Sequence, residues 1–376
     1  MIMTDQKTIS SKYFTMPTRR QFLKGIALVP FLTQLDLLAI PAGKEKYPYP
    51  KDLISDFCKH LKPIGRILQM EGYFVWCASP IDGTDGKVHL FFSRWTAKKK
   101  MGGWINGSEI CHAIADNPES SFEFVETILS PRGTGFWDGT TCHNPLIKQI
   151  DGKYGLFYMG NANGKTNTKR IGLATADSLS GPWTRPDKPL LDAGESGAWD
   201  DHCTTNPAFI KHPNGQYWLY YKGWNDYDYV NAPDPKIRGN RKYGLAIADK
   251  LEGPYVRYSG NPILDFSKKG NNTQLEDAFV WIENKKFKMI VRDMGYYNHE
   301  VGLYMESKDG IHWSDPKIAY YGATDYLTEQ PTPDIKEKWR FERPQLLIRN
   351  EHPAYLFTAI RGGLYNTASP FLFKLI

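Results

Sequence analysis

Two stretches decide the fold: Gly135-Phe136-Trp137-Asp138-Gly139-Thr140-Thr141-Cys142-His143-Asn144-Pro145 and Gly197-Ala198-Trp199-Asp200-Asp201-His202-Cys203-Thr204-Thr205-Asn206-Pro207. They match almost residue for residue at an offset of 62. Each leads into an apolar strand, a tight turn and an aromatic strand, as in Asp151-Gly152-Lys153-Tyr154 and Asn214-Gly215-Gln216-Tyr217. Asp-Gly or Asn-Gly between hydrophobic runs is the strongest short-range signal for a hairpin, and Asp85-Gly86-Lys87-Val88 repeats it. A third strand follows in each unit, at 110–116, 171–177, 243–249 and 301–307, and then an outer aromatic strand near Gly181-Pro182-Trp183, Gly253-Pro254-Tyr255 and Ile311-His312-Trp313. Four strands recurring every ~60 to 70 residues are the mark of propeller blades, none of which can bury both faces alone. Five units, with first strands near 75, 144, 206, 278 and 344, predict an all-β, five-bladed β-propeller over residues 71–376. A β-sandwich is the competing reading. Residues 44–70, with Ile54, Phe57, Cys58 and Leu61 at helical spacing, predict a short helical or extended segment packed on the propeller.

Composition agrees with this architecture. The 376 residues carry 33 Gly, 25 Pro and 14% aromatics, which favours short strands and tight turns over helical bundles. The net charge is +6, and residues 1–43, with five basic and two acidic side chains, account for half of it. So weak a bias, without any Lys/Arg run, makes no case for nucleic acid. Five cysteines without CxxC spacing indicate neither a disulfide framework nor a zinc site. They are expected to be buried thiols.

Thr18-Arg19-Arg20-Gln21-Phe22-Leu23-Lys24 and the apolar run that follows resemble the twin-arginine (Tat) bacterial export signal. Pro30, Gln34 and Asp36 interrupt that run, so it is too short to span ~30 Å of hydrocarbon. Cleavage near Ala42 would leave a mature chain with no membrane span, in the periplasm or outside the cell.

In a propeller the first strand of every blade faces the central funnel, so the residues that open these strands converge. Aligning the units on their x-Pro step gives the column Ser79, Asn144, Asn206, Asp277 and Arg343, preceded by Ala78, His143, Thr205, Glu276 and Glu342. Polar side chains within such apolar stretches are costly to bury unless they face water or a ligand. Asp138 and Asp200 hold the same repeat position and are expected to tie turns together, whereas Asp201, His202, Glu276, Asp277 and Glu342 break the repeat. Carboxylates around a polar funnel suit glycosidic hydrolysis, one acid protonating the leaving oxygen while another activates water or attacks carbon. On this reading Glu276, Asp201, Glu342 and Asp277 are the catalytic candidates. His143, His202, Asn144, Asn206, Arg292 and Arg343 are candidates for binding sugar, and Trp137 and Trp199, like Trp76 and Trp224, for stacking on it or for filling space between blades. Arg94, Lys222, Arg292, Arg343 and Arg361 lie where several could reach the funnel, either to meet a carboxylated or sulfated sugar or to pair with the surplus acids.

The Asp-Gly-Lys-Tyr hairpins, the Gly-Pro-Trp/Tyr strands, Glu276-Asp277-Ala278-Phe279-Val280-Trp281 and Glu342-Arg343-Pro344-Gln345-Leu346 together resemble the five-bladed propeller glycosidases around glycoside hydrolase families 43, 32, 68, 117 and 130, over about residues 70–376. The resemblance implies that Glu276 is the general acid and that Asp201 falls nearest the third-blade aspartate. It implies an Asp before Pro in blade one as the base, where this chain has Ser79, so that Asp201, Asp277 or Glu342 must supply the second carboxylate. It also keeps His143 and His202 as candidate acids, as in relatives resembling family 117. A channel Ca²⁺ is compatible with the resemblance, but no calcium loop is present and no cofactor or metal is expected. The expectation is an exported, exo-acting glycoside hydrolase acting on a plant or algal polysaccharide fragment. A carbohydrate-binding propeller without activity and a glycoside phosphorylase are the alternatives.

Overall fold

The computed structural model describes residues 49–232, 239–267, 274–333, 335 and 339–376, so the twin-arginine stretch lies outside the described residues. The chain is all-β with short helical turns. Its strands are β1 (Leu61–Arg66), β2 (Tyr73–Asp82), β3 (Val88–Thr96), β4 (Glu109–Ala115), β5 (Glu123–Leu129), β6 (Thr141–Ile150), β7 (Lys153–Asn161), β8 (Arg170–Ala176), β9 (Cys203–Lys211), β10 (Tyr217–Trp224), β11 (Lys242–Ala248), β12 (Val256–Arg257), β13 (Gln274–Glu283), β14 (Lys286–Met294), β15 (Gly302–Ser307), β16 (Lys317–Tyr320), β17 (Glu342–Arg349), β18 (His352–Gly362) and β19 (Thr367–Leu375). They form antiparallel meanders: β6-β7-β8, β9 to β12, β13 to β16, and an eight-stranded sheet in which β17-β18-β19 adjoins β2 to β5. That junction is one parallel pair, Ala368 with Phe74.

The Asp-Gly hairpins form where the sequence requires them. Asp151 and Gly152 take φ of 51° and 81°, a pairing that matches the twist of the flanking strands and that glycine adopts without a Cβ penalty. The outer strands are shorter than expected. Val256–Arg257 is two residues long, and the second unit has only an isolated bridge, Thr175 with Thr184.

The segment before β2 divides into two parts. Asp56–Lys59 is a single helical turn, α1, capped by the Ser55 hydroxyl, which accepts from the Cys58 N–H at 3.1 Å. Leu61–Arg66 then pairs antiparallel with β19, at the opposite end of the sequence.

The inner strands touch in a closed cycle: β2 with β6, β6 with β9, β9 with β13, β13 with β17, and β17 with β2. In every one of them the ladder slips at the same place, between Trp76 and Ser79, His143 and Leu146, Thr205 and Ala208, Glu276 and Phe279, and Glu342 and Gln345. At that bulge a non-glycine residue is left-handed: Cys77, Asn144, Asn206, Asp277 and Arg343, with φ from 48° to 65°. This costs roughly 1–2 kcal/mol per residue, least for Asn and Asp. The repeated strain corrects the alignment of the first unit. Cys77, preceded by Trp76, occupies the column, and Ser79 lies two residues beyond it, because the bulge defines the position and Pro80 does not mark it. Ser79 is buried, accepts from the Ile147 N–H at 3.1 Å and lies 3.4 Å from Gln345 Oε1.

Repeated close packing holds the meanders together. Trp137 lies over Gly160 and Gly172, where a Cβ would come within 2.2 and 2.3 Å of its ring, and Trp199 lies in the same way over Gly223 and Gly244. All five cysteines are buried and free. Among the described residues no helix is long and apolar enough to cross a membrane.

Candidate functional site

The five left-handed residues are linked mainly to one another around the axis. Asn144 Nδ2 donates to Asn206 Oδ1 at 3.2 Å, and Asn206 Nδ2 donates to Asp277 Oδ1 at 2.7 Å. The Arg343 backbone N–H donates to Asp277 Oδ2 at 3.2 Å, while its guanidinium pairs with the same carboxylate. Cys77 Sγ lies 3.8 Å from the Pro145 carbonyl. Burial pushes the Asp277 carboxyl above its usual range, the Arg343 guanidinium opposing and the neighbouring Glu276 charge adding to the rise. Asn144, Asn206, Asp277 and Arg343 are thereby linked in series as a girdle around the axis.

One residue earlier in each strand the surroundings change. Glu276 and Glu342, from neighbouring inner strands, keep 13% and 15% of their side chains open. Arg292 Nη1 donates to Glu276 Oε2 at 2.9 Å and to Glu342 Oε2 at 2.8 Å, so one nitrogen bridges the two carboxylates. Glu276 also pairs with Lys222, and the Arg241 Nε is 3.7 Å from it; Arg340 Nε donates to Glu342 Oε1 at 3.0 Å. Burial alone would raise the Glu276 carboxyl, but Lys222, Arg241, Arg292 and Arg343 hold it well below the usual carboxylate range. The register explains which cations arrive. Lys222 and Arg292 stand opposite Thr205 and Glu276, whereas Arg94 is one residue past Ser93, the partner of Trp76. With a period of two, that single step sends Arg94 to the other face, where it binds Glu109 at 2.8 Å.

A wall beside the acids comes from the third strands. Lys169 and Arg241 hold the same place before β8 and β11, as the matching runs Arg170-Ile171-Gly172-Leu173-Ala174 and Lys242-Tyr243-Gly244-Leu245-Ala246 show. The Lys169 ammonium lies 4.2 Å and the Arg241 guanidinium 5.4 Å from the Trp224 ring centroid. Burial brings Lys169 down to about 7. His202 stacks on the same indole, its Nδ1 donating to Asp226 at 2.7 Å and its Nε2 lying 2.9 Å from the Thr166 hydroxyl. His143 is buried between Trp95 and Trp104, shares a 2.8 Å hydrogen bond with Ser108 Oγ, and is held neutral by burial. Lys169, Arg241 and Arg340 escaped the sequence reading. For the first two, the basic residue recurring ahead of both third strands was the available signal.

Other candidates lie apart from this cluster. Asp201 accepts from the backbone N–H groups of Gly197 and Asp226 at 2.7 and 2.6 Å and from Asn225 Nδ2 at 3.2 Å, which commits it to shaping a loop. The third inner strand presents Thr205 and Asn206 at the column. Trp137 and Trp199 use their faces on the glycine pairs, so packing explains them. Asp138 and Asp200 do tie turns together: Asp138 binds Arg132, Tyr158 and Arg185, and Asp200 binds Tyr221 and Arg257. A separate hollow of about 780 Å³ beside α1 is lined by Trp281, Glu283, Tyr304 and Glu306, but its acids already pair with Lys288 and Lys286.

No protein-family model matches the sequence. Over 263 residues the chain is 22% identical to the extracellular endo-α-(1→5)-L-arabinanase 2 of Bacillus subtilis, a match that takes in 64% of this chain and 54% of that protein, so the chain spans about half the length of that relative. Zg3597, a family 117 glycoside hydrolase produced by the marine bacterium Zobellia galactanivorans, superposes with a TM-score of 0.63 at 16% identity, covering 84% of this chain and 90% of that one. CoXyl43, a GH43 β-xylosidase/α-arabinofuranosidase from a compost microbial metagenome solved with xylotriose, superposes at 0.56 with 16% identity, covering 84% and 93%. The chain thus has the fold of the propeller glycoside hydrolases of families 43 and 117, the group its sequence resembles.

Proposed function

We propose that this protein is a glycoside hydrolase built as a five-bladed β-propeller, with Glu276 and Glu342 as its paired carboxylates. One observation carries the reading. Two partly open acids from adjacent inner strands are bridged by a single Arg292 nitrogen, while Trp76, His143 and Thr205, at the same position in the other three inner strands, are buried. Hydrolysis of a glycosidic bond needs one carboxyl to give a proton to the leaving oxygen and another to act in its ionised form. Glu276 is the ionised partner, because its cations stabilise the carboxylate and a general acid must hold its proton at working pH. Glu342, which among the described residues pairs with Arg292 and Arg340, is then assigned the role of proton donor. This reverses the role that resemblance gives to Glu276. The fold shared with named glycoside hydrolases and the match to an extracellular arabinanase support the reading. The proposal extends to an exported enzyme that trims plant or algal polysaccharide fragments from one end, export being supported by the twin-arginine stretch and by the match to an extracellular relative.

The role assignment is tested with aryl glycosides of graded leaving-group acidity. Glu342→Gln should lose turnover on oligosaccharides but keep most of it on a dinitrophenyl glycoside, whose departure needs no proton. Glu276→Ala should lose both and regain turnover when azide or formate is added. The opposite pattern would restore Glu276 as the acid.

A further inference from the structure

Six cationic side chains, Lys169, Lys222, Arg241, Arg292, Arg340 and Arg343, gather around three carboxylates, Glu276, Asp277 and Glu342. Most of these cations are accounted for by the acids. Lys169 is not: it is 3% exposed, and among the described residues its ammonium has neither a hydrogen bond nor an ion pair, only the faces of Trp224 at 4.2 Å and Trp104 at 5.8 Å. Arg241 is half served. Its Nη1 donates to Gln274 Oε1 at 2.8 Å, while its buried Nε has no hydrogen-bond partner. An uncompensated buried charge is expensive, and a cation–π contact offsets only part of that cost. The two residues occupy the same repeat position and flank one indole, so an unpaired amine and a guanidinium that reaches Glu276 only at 3.7 Å lie together on one side of that acid.

We propose that this wall is the subsite for a sugar bearing an oxyanion, with Lys169 and Arg241 binding the anionic group beside Trp224 and the glycosidic bond lying over Glu276 and Glu342. The inference rests on the glycosidase reading and narrows its substrate class. Lys supplies a point charge and Arg a planar fork, so a uronate carboxylate and a sulfate ester are both chemically acceptable. Lys222 is the remaining cation of the wall, and His202, itself paired with Asp226, closes its far side.

The test is calorimetric titration of the full chain with three matched oligosaccharides, one neutral, one carrying a uronate and one carrying a sulfate ester, and with inorganic phosphate alone. At least one anionic sugar should bind about tenfold or more tighter than its neutral counterpart, with affinity falling as salt rises. Lys169→Met should remove most of that preference, lowering affinity for the anionic sugar far more than for the neutral one, with an unaltered circular dichroism spectrum as the check on folding. Lys169→Arg should retain it. Whichever anionic arm binds identifies the group. Equal binding of neutral and anionic sugars, binding of phosphate alone, or no sugar binding at all would overturn the inference. Cleavage of a neutral oligosaccharide in the first case would leave the hydrolase reading standing. An anionic sugar that binds but is never cut would keep the subsite and remove the hydrolase.

Discussion

Glu276 and Asp277 are adjacent in sequence, both largely buried, and opposite in circumstance. Asp277 sits at the left-handed bulge and is enclosed by Asn206 and Arg343, with burial raising its pKa. Glu276, one step earlier, is partly open and is surrounded by cations that depress its pKa. A single residue of alternation separates a girdle that lines the ring from a partly open carboxylate held by cations. The same step separates Asn206 from Thr205 and Arg343 from Glu342. On the proposed reading, function occupies the column beside the strained one, and the strained column pays in backbone energy for aiming it.

The largest effect should come from breaking the girdle. Asp277→Asn leaves the buried Arg343 guanidinium without its counter-charge and should cost about 3–5 kcal/mol of stability, read from urea midpoints. Asn206→Ala removes the relay between Asn144 and Asp277 and should cost about 1–3 kcal/mol. Stability unchanged in both would mean that the girdle holds nothing.

Titration should sharpen the contrast. Lys169 has a folded pKa of about 7, below its usual value near 10.4. Between those values the unfolded chain binds a proton that the folded chain has released, so this group makes stability rise with pH over that window. Lys169→Met should therefore be more stable than the wild type at pH 6, with the difference shrinking toward pH 10. Glu276 has the same slope in a lower window, but there the charged form stabilises the fold. Its folded pKa is depressed, so its contribution is present above the usual carboxylate pKa and is lost as the solution is acidified below about pH 4. Glu276→Gln should lack that acid-side loss in the urea midpoint measured from pH 6 to pH 3.

The smallest effect belongs to Ser79→Ala, which should cost about 1–2 kcal/mol through the hydrogen bonds to Ile147 and Gln345 and leave turnover untouched. A large loss of turnover would return Ser79 to the funnel.

Much of this was legible in the sequence. Inner and third strands could be read because alternation and Asp-Gly or Asn-Gly turns are local signals. The pairing of β1 with β19 could not, since a contact between the two ends of the chain leaves no local period. The first unit was misaligned because the x-Pro step marks the bulge in units two, three and five but not in unit one, where the bulge falls on Cys77. Asp201 drew attention by breaking the repeat, yet a residue can break a repeat in a loop as easily as in a site. Lys169 and Arg241 were overlooked for the converse reason: they obey the repeat, and only the fold shows that Lys169 has no paired acid among the described residues while Arg241 stands beside Glu276.

The most direct test of the central claim is reducing-sugar release from one oligosaccharide panel by the wild type, Glu276→Gln and Glu342→Gln under identical conditions. Cleavage by the wild type and none by either variant is the predicted result. Cleavage that survives both substitutions undiminished would place the chemistry elsewhere in the molecule.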